Sequence, residues 1–159
     1  MLPQCRVLVV EDFRGVDEIL SIIDDQSGYD VTLAADCDAA FTELDRGGEL
    51  KARFTIAVIG CADPARDLKL AEYAALRGCV VIGVAEEAGQ REPFLARGYD
   101  LIEASCRPEE LIVRLAAARL RAGLAERRPS ARGEPRRRRR IPIPERGGWR
   151  AGELARFAV

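Results

Sequence analysis

The 159-residue sequence contains no histidine at all. That absence excludes Ser-His-Asp and Cys-His catalysis, a phosphohistidine relay through this chain, and His-ligated metal sites. Aromatic residues are only 6% of the chain, so aliphatic side chains must build the core. The five cysteines (Cys5, Cys37, Cys61, Cys79 and Cys106) lie far apart and form no C-x-x-C pair. Their odd number, and the lack of a basic-then-apolar leader after Met1, point to free thiols in a reducing compartment. A cytoplasmic protein is therefore expected. No apolar run approaches the roughly 20 residues of a membrane-spanning helix, so no membrane partner is expected. What remains is 48% hydrophobic and 32% charged, the balance of one soluble domain with a short appendage.

The formal net charge of −1 conceals a division. Residues 1–117 carry 22 acidic and 12 basic side chains, net −10, whereas residues 118–159 carry 4 glutamates and 13 arginines, net +9. An acidic body thus carries a basic tail, and such asymmetry is a first indication of partners.

Apolar periodicity organises the body. Residues 5–10, 29–34, 54–59, 79–85 and 99–102 are short apolar or β-branched runs and predict five strands. Between them the spacing predicts helices over 16–23, 36–44, 64–76 and, weakly patterned, 89–97. A fifth helix opens at Pro108 with Leu111, Ile112, Leu115 and Ala116 as its stripe. Gly28 is expected to close the first helix, and Gly47-Gly48 the second. Alternating apolar strands and amphipathic helices predict an α/β fold: a five-stranded, parallel, doubly wound, flavodoxin-like sheet with helices on both faces. Function in such a fold gathers in the crevice at the carboxyl ends of the strands. The pattern ends at Arg121. Residues 1–121 are expected to form the domain, and 122–159 a flexible basic tail with a linker over 123–135 and a short helix over 149–159.

Three segments carry a resemblance to a known family: V-L-V-V-E-D at 7–12, T-I-A-V-I-G-C-A-D-P at 55–64, and Y-D-L-I-E-A-S-C-R-P-E-E-L at 99–111. Together they resemble the receiver domain of two-component response regulators over about Cys5 to Ala117. The resemblance implies an acidic pair that holds Mg²⁺, an Asp after the third strand that accepts a phosphoryl group from a histidine kinase, and a Ser/Thr and a Lys that hold the phosphate. The nucleophile must be the Asp, and the cations neutralise charge on the transferred oxygens.

Only the acidic pair, Glu11 and Asp12, matches. The acceptor position falls on Gly60, the hydroxyl position on Val84 and the Lys position on Ala104. Ser105 replaces the usual following proline, and Leu101 stands at the aromatic switch position. A degenerate, or pseudo-, receiver is the reading, with no catalytic residue. Glu11 and Asp12 are the candidates for residual Mg²⁺ binding, but two carboxylates without a third anionic ligand hold Mg²⁺ poorly, so no cofactor is expected. Asp63 or Asp67 is a conceivable substitute acceptor. Against this, displacement by three residues spoils the geometry, and Asp63 before Pro64 reads as a helix N-cap. Cys61 has no His or Lys near it in the sequence to depress its pKa and reads as a passive thiol.

The function expected is a non-enzymatic, phosphorylation-independent signalling module. It would contact a signalling partner, or a second copy, through the last helix and fifth strand. The alternative is a nucleic-acid-associated regulator using the cationic block Arg136, Arg137, Arg138, Arg139 and Arg140. That block could equally meet an acidic partner, the chain's own acidic body, or only solvent.

Overall fold

In the computed structural model, which describes residues 4–46 and 53–127, five strands alternate with five α-helices. In chain order these are β1 (Cys5–Val10), α1 (Val16–Asp24), β2 (Tyr29–Ala34), α2 (Cys37–Arg46), β3 (Ile56–Gly60), α3 (Pro64–Leu76), β4 (Val80–Ala85), α4 (Arg91–Ala96), β5 (Asp100–Glu103) and α5 (Pro108–Arg127). The strands form one sheet in the order β2-β1-β3-β4-β5, and every pairing is parallel. The chain reverses its direction of travel across the sheet between β1 and β3, which opens a crevice above their carboxyl ends.

β1, β3 and β4 lie inside the sheet and are buried on both faces, which explains their unbroken apolar character. One face is covered by α2, α3 and α4. There Leu8, Val10, Ala57 and Ile59 of the sheet meet Ala40, Leu44, Leu70, Ala74 and Phe94. The opposite face is covered by α1 and α5, where Val7, Val9, Val58, Ile82 and Val84 meet Ile19, Ile23, Leu111 and Leu115. The doubly wound α/β fold read from the sequence is the fold observed.

Element limits match the sequence pattern to within one or two residues, with one large exception. α5 runs on to Arg127, six residues beyond Arg121. Residues 123–127, read from composition as the start of a linker, are helical. Among the described side chains the buried side of α5 is Leu111, Leu115, Ala118 and Ala122, while Ala116, expected on that side, is exposed. Small buried residues such as Ala118 and Ala122 carry little hydropathic signal, so the visible pattern fades before the helix ends. Gly28 does not close α1, which ends four residues earlier. It takes a φ of 93° in the turn leading to β2, and its carbonyl accepts a hydrogen bond from the Cys5 N–H at 2.8 Å. The weakly patterned segment after β4 is a 3₁₀ turn (Ala88–Gln90) followed by the six-residue α4. Residues 47–48, the cationic block 136–140 and the expected terminal helix lie outside the described residues.

Candidate functional site at the carboxyl end of the sheet

The parallel register gathers the sequence-selected positions at one edge. Gly60, the last residue of β3, pairs with Val84 of β4, and Val84 in turn pairs with Ile102 of β5. Glu11 and Asp12 follow β1, and Ala104 follows β5 with its N–H donating to the Ala85 carbonyl at 2.9 Å. Val84 is buried among the aliphatic side chains facing α1 and α5. Its carbonyl accepts the Cys61 N–H at 3.0 Å. Gly15, left-handed at φ 83° and N-capping α1, brings the β1–α1 loop against the Ala104 carbonyl; a Cβ there would lie 3.3 Å from that oxygen.

Glu11 and Asp12 diverge. Glu11 is exposed. Asp12 turns inward, its side chain 19% exposed, and joins a cluster that the sequence did not reveal. The Arg66 guanidinium, on α3, places Nη2 2.9 Å from Asp12 Oδ2 and Nε 3.6 Å from Asp67 Oδ1. The Cys37 thiol, at the start of α2, donates to Asp67 Oδ1 at 3.5 Å and lies 3.9 Å from Asp12 Oδ2. Asp67 itself is only 1% exposed. Its Oδ2 accepts the Asp63 N–H at 2.9 Å, while Asp63 caps α3 by accepting the Arg66 N–H at 3.5 Å. Asp63 is thus the N-cap that its place before Pro64 indicated. Asp67 is no exposed nucleophile: it is a buried carboxylate held by a cation, a thiol and a backbone N–H.

Burial pushes the Asp12 carboxyl above its ordinary range, reinforced by the nearby Asp67 charge and only partly offset by Arg66. The Cys37 thiol is pushed up to about 12, chiefly by burial and then by its hydrogen bond to Asp67. Cys61, buried directly after Gly60, is also pushed up to about 12, by burial and then by Asp67. Both thiols are therefore protonated at neutral pH and poor nucleophiles.

Phe13, also unanticipated, fills the space beside Gly60. A Cβ added at Gly60 would stand 2.9 Å from Phe13 Cβ, 3.2 Å from its Cδ1 and 3.3 Å from Asp12 Oδ1. Further contacts tie the surrounding loops. The Arg14 N–H donates to the Glu86 carboxylate after β4, and Arg91 of α4 pairs with Glu103 of β5. The sequence offered a partial signal for the cluster in D-P-A-R-D at 63–67, where Asp63, Arg66 and Asp67 share the first turn of one helix. Nothing in the sequence placed Cys37 or Phe13 beside them.

A five-stranded parallel sheet in this order, wound on both faces and carrying an acidic residue in the crevice after β1, defines the flavodoxin-like architecture of receiver domains. Solved structures carry the same fold. A response regulator receiver domain protein (CheY-like) from Methanospirillum hungatei JF-1 matches with a TM-score of 0.61 at 22% identity, covering 77% of this chain and 98% of that one. A response regulator receiver protein from Sinorhizobium medicae WSM419 matches with a TM-score of 0.62 at 15% identity, covering 77% and 99%. A response regulator from Thermotoga maritima matches with a TM-score of 0.60 at 18% identity, covering 74% and 98%. No protein-family model matches the sequence, and no curated protein matches it. At these identities the likeness is one of fold, so function has to be argued from the site.

Proposed function

We propose that this chain is a signalling module built on a receiver fold and working by protein–protein contact without phosphoryl transfer. The observation that carries the reading is Gly60: the strand end where a receiver resemblance calls for an Asp has no side chain, and Phe13 fills the adjoining space. Val84 offers no hydroxyl and Ala104 no cation at the other two reactive positions. Asp63 and Asp67, the conceivable substitutes, are engaged as an N-cap and as a buried, fully partnered carboxylate.

The proposed contact surface is α5 with β5. β5 is an edge strand, and α5 presents Val113 and Leu120, 65% and 69% exposed, away from the core. Apolar groups on a helix that is already packed on its other side suit a protein partner or a second copy. No helix among the described residues is long and apolar enough to cross a membrane.

The test is intact mass after acetyl phosphate and Mg²⁺ treatment, beside sedimentation or pull-down with cell extract for wild type and Val113→Glu/Leu120→Glu. The expected result is no mass gain, with association that is lost in the double variant. A stable gain of one phosphate, abolished by Asp63→Ala or Asp67→Asn, would overturn the reading.

A further inference from the structure

The receiver resemblance implies a divalent cation on the carboxylates after β1, and the groups present here do not fit one. Mg²⁺ needs near-octahedral oxygen ligands at about 2.0–2.1 Å and is commonly held by carboxylates that are free to face it. Of the two carboxylates after β1, Glu11 is exposed and stands outside the cluster of Asp12, Cys37 and Asp67, and three of the four oxygens of Asp12 and Asp67 are already engaged. Asp12 Oδ2 accepts from Arg66 at 2.9 Å, Asp67 Oδ1 from Cys37 at 3.5 Å with Arg66 Nε at 3.6 Å, and Asp67 Oδ2 from the Asp63 N–H at 2.9 Å. The fourth, Asp12 Oδ1, faces the Gly60–Phe13 contact. The remaining atom of the cluster, Cys37 Sγ, is a protonated thiol and a poor ligand for so hard an ion.

We propose that Arg66 is the chain's own replacement for a metal: its guanidinium neutralises Asp12 and Asp67, excludes divalent cations, and fastens the β1–α1 loop to α3 without a cofactor. The geometry favours Arg for this work. The planar fork reaches two carboxylates on different elements at once, which a point charge such as Lys does less well. The position of the residue is also fixed by the chain. Arg66 lies in the first turn of α3, where its own N–H is tied to the Asp63 cap, so its side chain projects over the crevice from a rigid base. The consequence is a module whose crevice is permanently set, with a covalently attached cation in place of one that binds and leaves. The inference rests on the receiver reading of the crevice.

The experiment uses the full-length chain, treated with EDTA, as wild type, Arg66→Gln, Arg66→Lys and Arg66→Gln/Asp12→Asn. Thermal melting is followed with and without MgCl₂ at matched ionic strength, and Mn²⁺ retention is followed by the electron paramagnetic resonance of the free ion. Wild type is expected to melt at the same temperature with EDTA and with Mg²⁺, and to retain no Mn²⁺ that depends on Asp12. Arg66→Gln is expected to melt lower in EDTA, to recover on adding Mg²⁺, and to hold Mn²⁺ at least about tenfold more tightly than wild type. That gain should vanish in the Asp12→Asn double variant. Arg66→Lys should keep the cation-independent behaviour. A wild-type chain that loses stability in EDTA, or that holds Mn²⁺ as tightly as Arg66→Gln, would overturn the proposal. So would an Arg66→Gln protein with no gain in Mn²⁺ affinity. If Arg66→Gln does not fold, the wild-type and Arg66→Lys measurements decide: dependence on added Mg²⁺ in either sinks the idea. Failure here leaves the phosphorylation test untouched, and a phosphoryl gain on the wild type would defeat the proposed function whatever Arg66 does.

Discussion

Gly60 is small because its neighbour is large. Phe13 occupies the volume that any side chain at position 60 would need, since a methyl group there would stand only 2.9 Å from Phe13 Cβ. The clash falls on a buried residue, close to its backbone, so relief requires the loop to shift. Gly60→Ala is expected to destabilise the fold by about 1–3 kcal/mol in urea denaturation. Phe13→Ala alone should cost about 3–5 kcal/mol through its cavity. Combining the two should cost somewhat less than their total, because Ala at position 13 removes the ring contact at 3.2 Å although its Cβ keeps the one at 2.9 Å. Strict additivity would mean that the two positions do not compete. Asp12 adds a pH dependence. Its folded-state carboxyl titrates above the ordinary Asp range because burial and Asp67 outweigh Arg66. Between the unfolded and folded values the native state binds the proton more tightly, so the Asp12 contribution to stability falls as pH rises through that window. Carboxyl NMR titration should therefore place Asp12 above an exposed Asp, and Asp67→Asn should bring it down. An unshifted Asp12 would contradict the buried placement.

At the scale of elements, two helices form for opposite reasons. α3 is specified locally: Asp63 caps it, Pro64 takes the first-turn position that needs no N–H, and Asp67 returns a hydrogen bond to the capping residue. α5 is specified by what it packs against. Among its described side chains the last buried one is Ala122, 7% exposed, followed by a glycine that lowers helix propensity by about 1 kcal/mol. Ending the chain after Arg127 should leave the melting temperature of the domain unchanged. Ending it after Arg121 removes Ala122 and the last helical turn, a loss on the order of 1 kcal/mol, and should lower the melting temperature by about 3–5 °C. Equal melting of the two truncations, by calorimetry, would show that the helix beyond Arg121 adds nothing to the fold.

For the whole molecule, the governing facts are topology and charge. The reversal of strand order between β1 and β3 opens the crevice, and intramolecular contacts around it engage Asp12, Asp63 and Asp67. The charge is divided along the chain, net −10 over residues 1–117 and net +9 over 118–159. A segment with five consecutive arginines is expected to bind duplex DNA weakly and without sequence preference, with affinity falling steeply with salt. The opposite charge of residues 1–117 is expected to compete for the same cations. The isolated 128–159 peptide should therefore bind labelled DNA more tightly than the full chain at low salt. Both should lose binding towards 1 M salt, where the Debye length is about 3 Å. Alanine at Arg136 through Arg140 together should abolish it. A peptide that fails to bind at low salt would remove nucleic acid from consideration.

The sequence by itself determined the α/β class, the alternation of elements and the parallel sheet, because a strand buried on both faces must be apolar at every position and a covering helix must repeat near 3.6 residues. It also determined the Asp63 cap, a local hydrogen bond between near neighbours in the chain, and the lack of a carboxylate at position 60. Only the tertiary structure decided what fills that space. Phe13 meets Gly60, and Cys37 and Arg66 meet Asp12, across 25 to 54 residues of chain. Such meetings depend on sheet register and helix placement, which periodicity does not encode. For the same reason nothing along the chain marks Asp67, a polar residue in a helical first turn, as the buried carboxylate that the structure shows. The length of α5 was hidden too: Ala118 and Ala122 are buried, and the burial of so small a side chain depends on a tight fit in three dimensions rather than on hydropathic contrast along the chain.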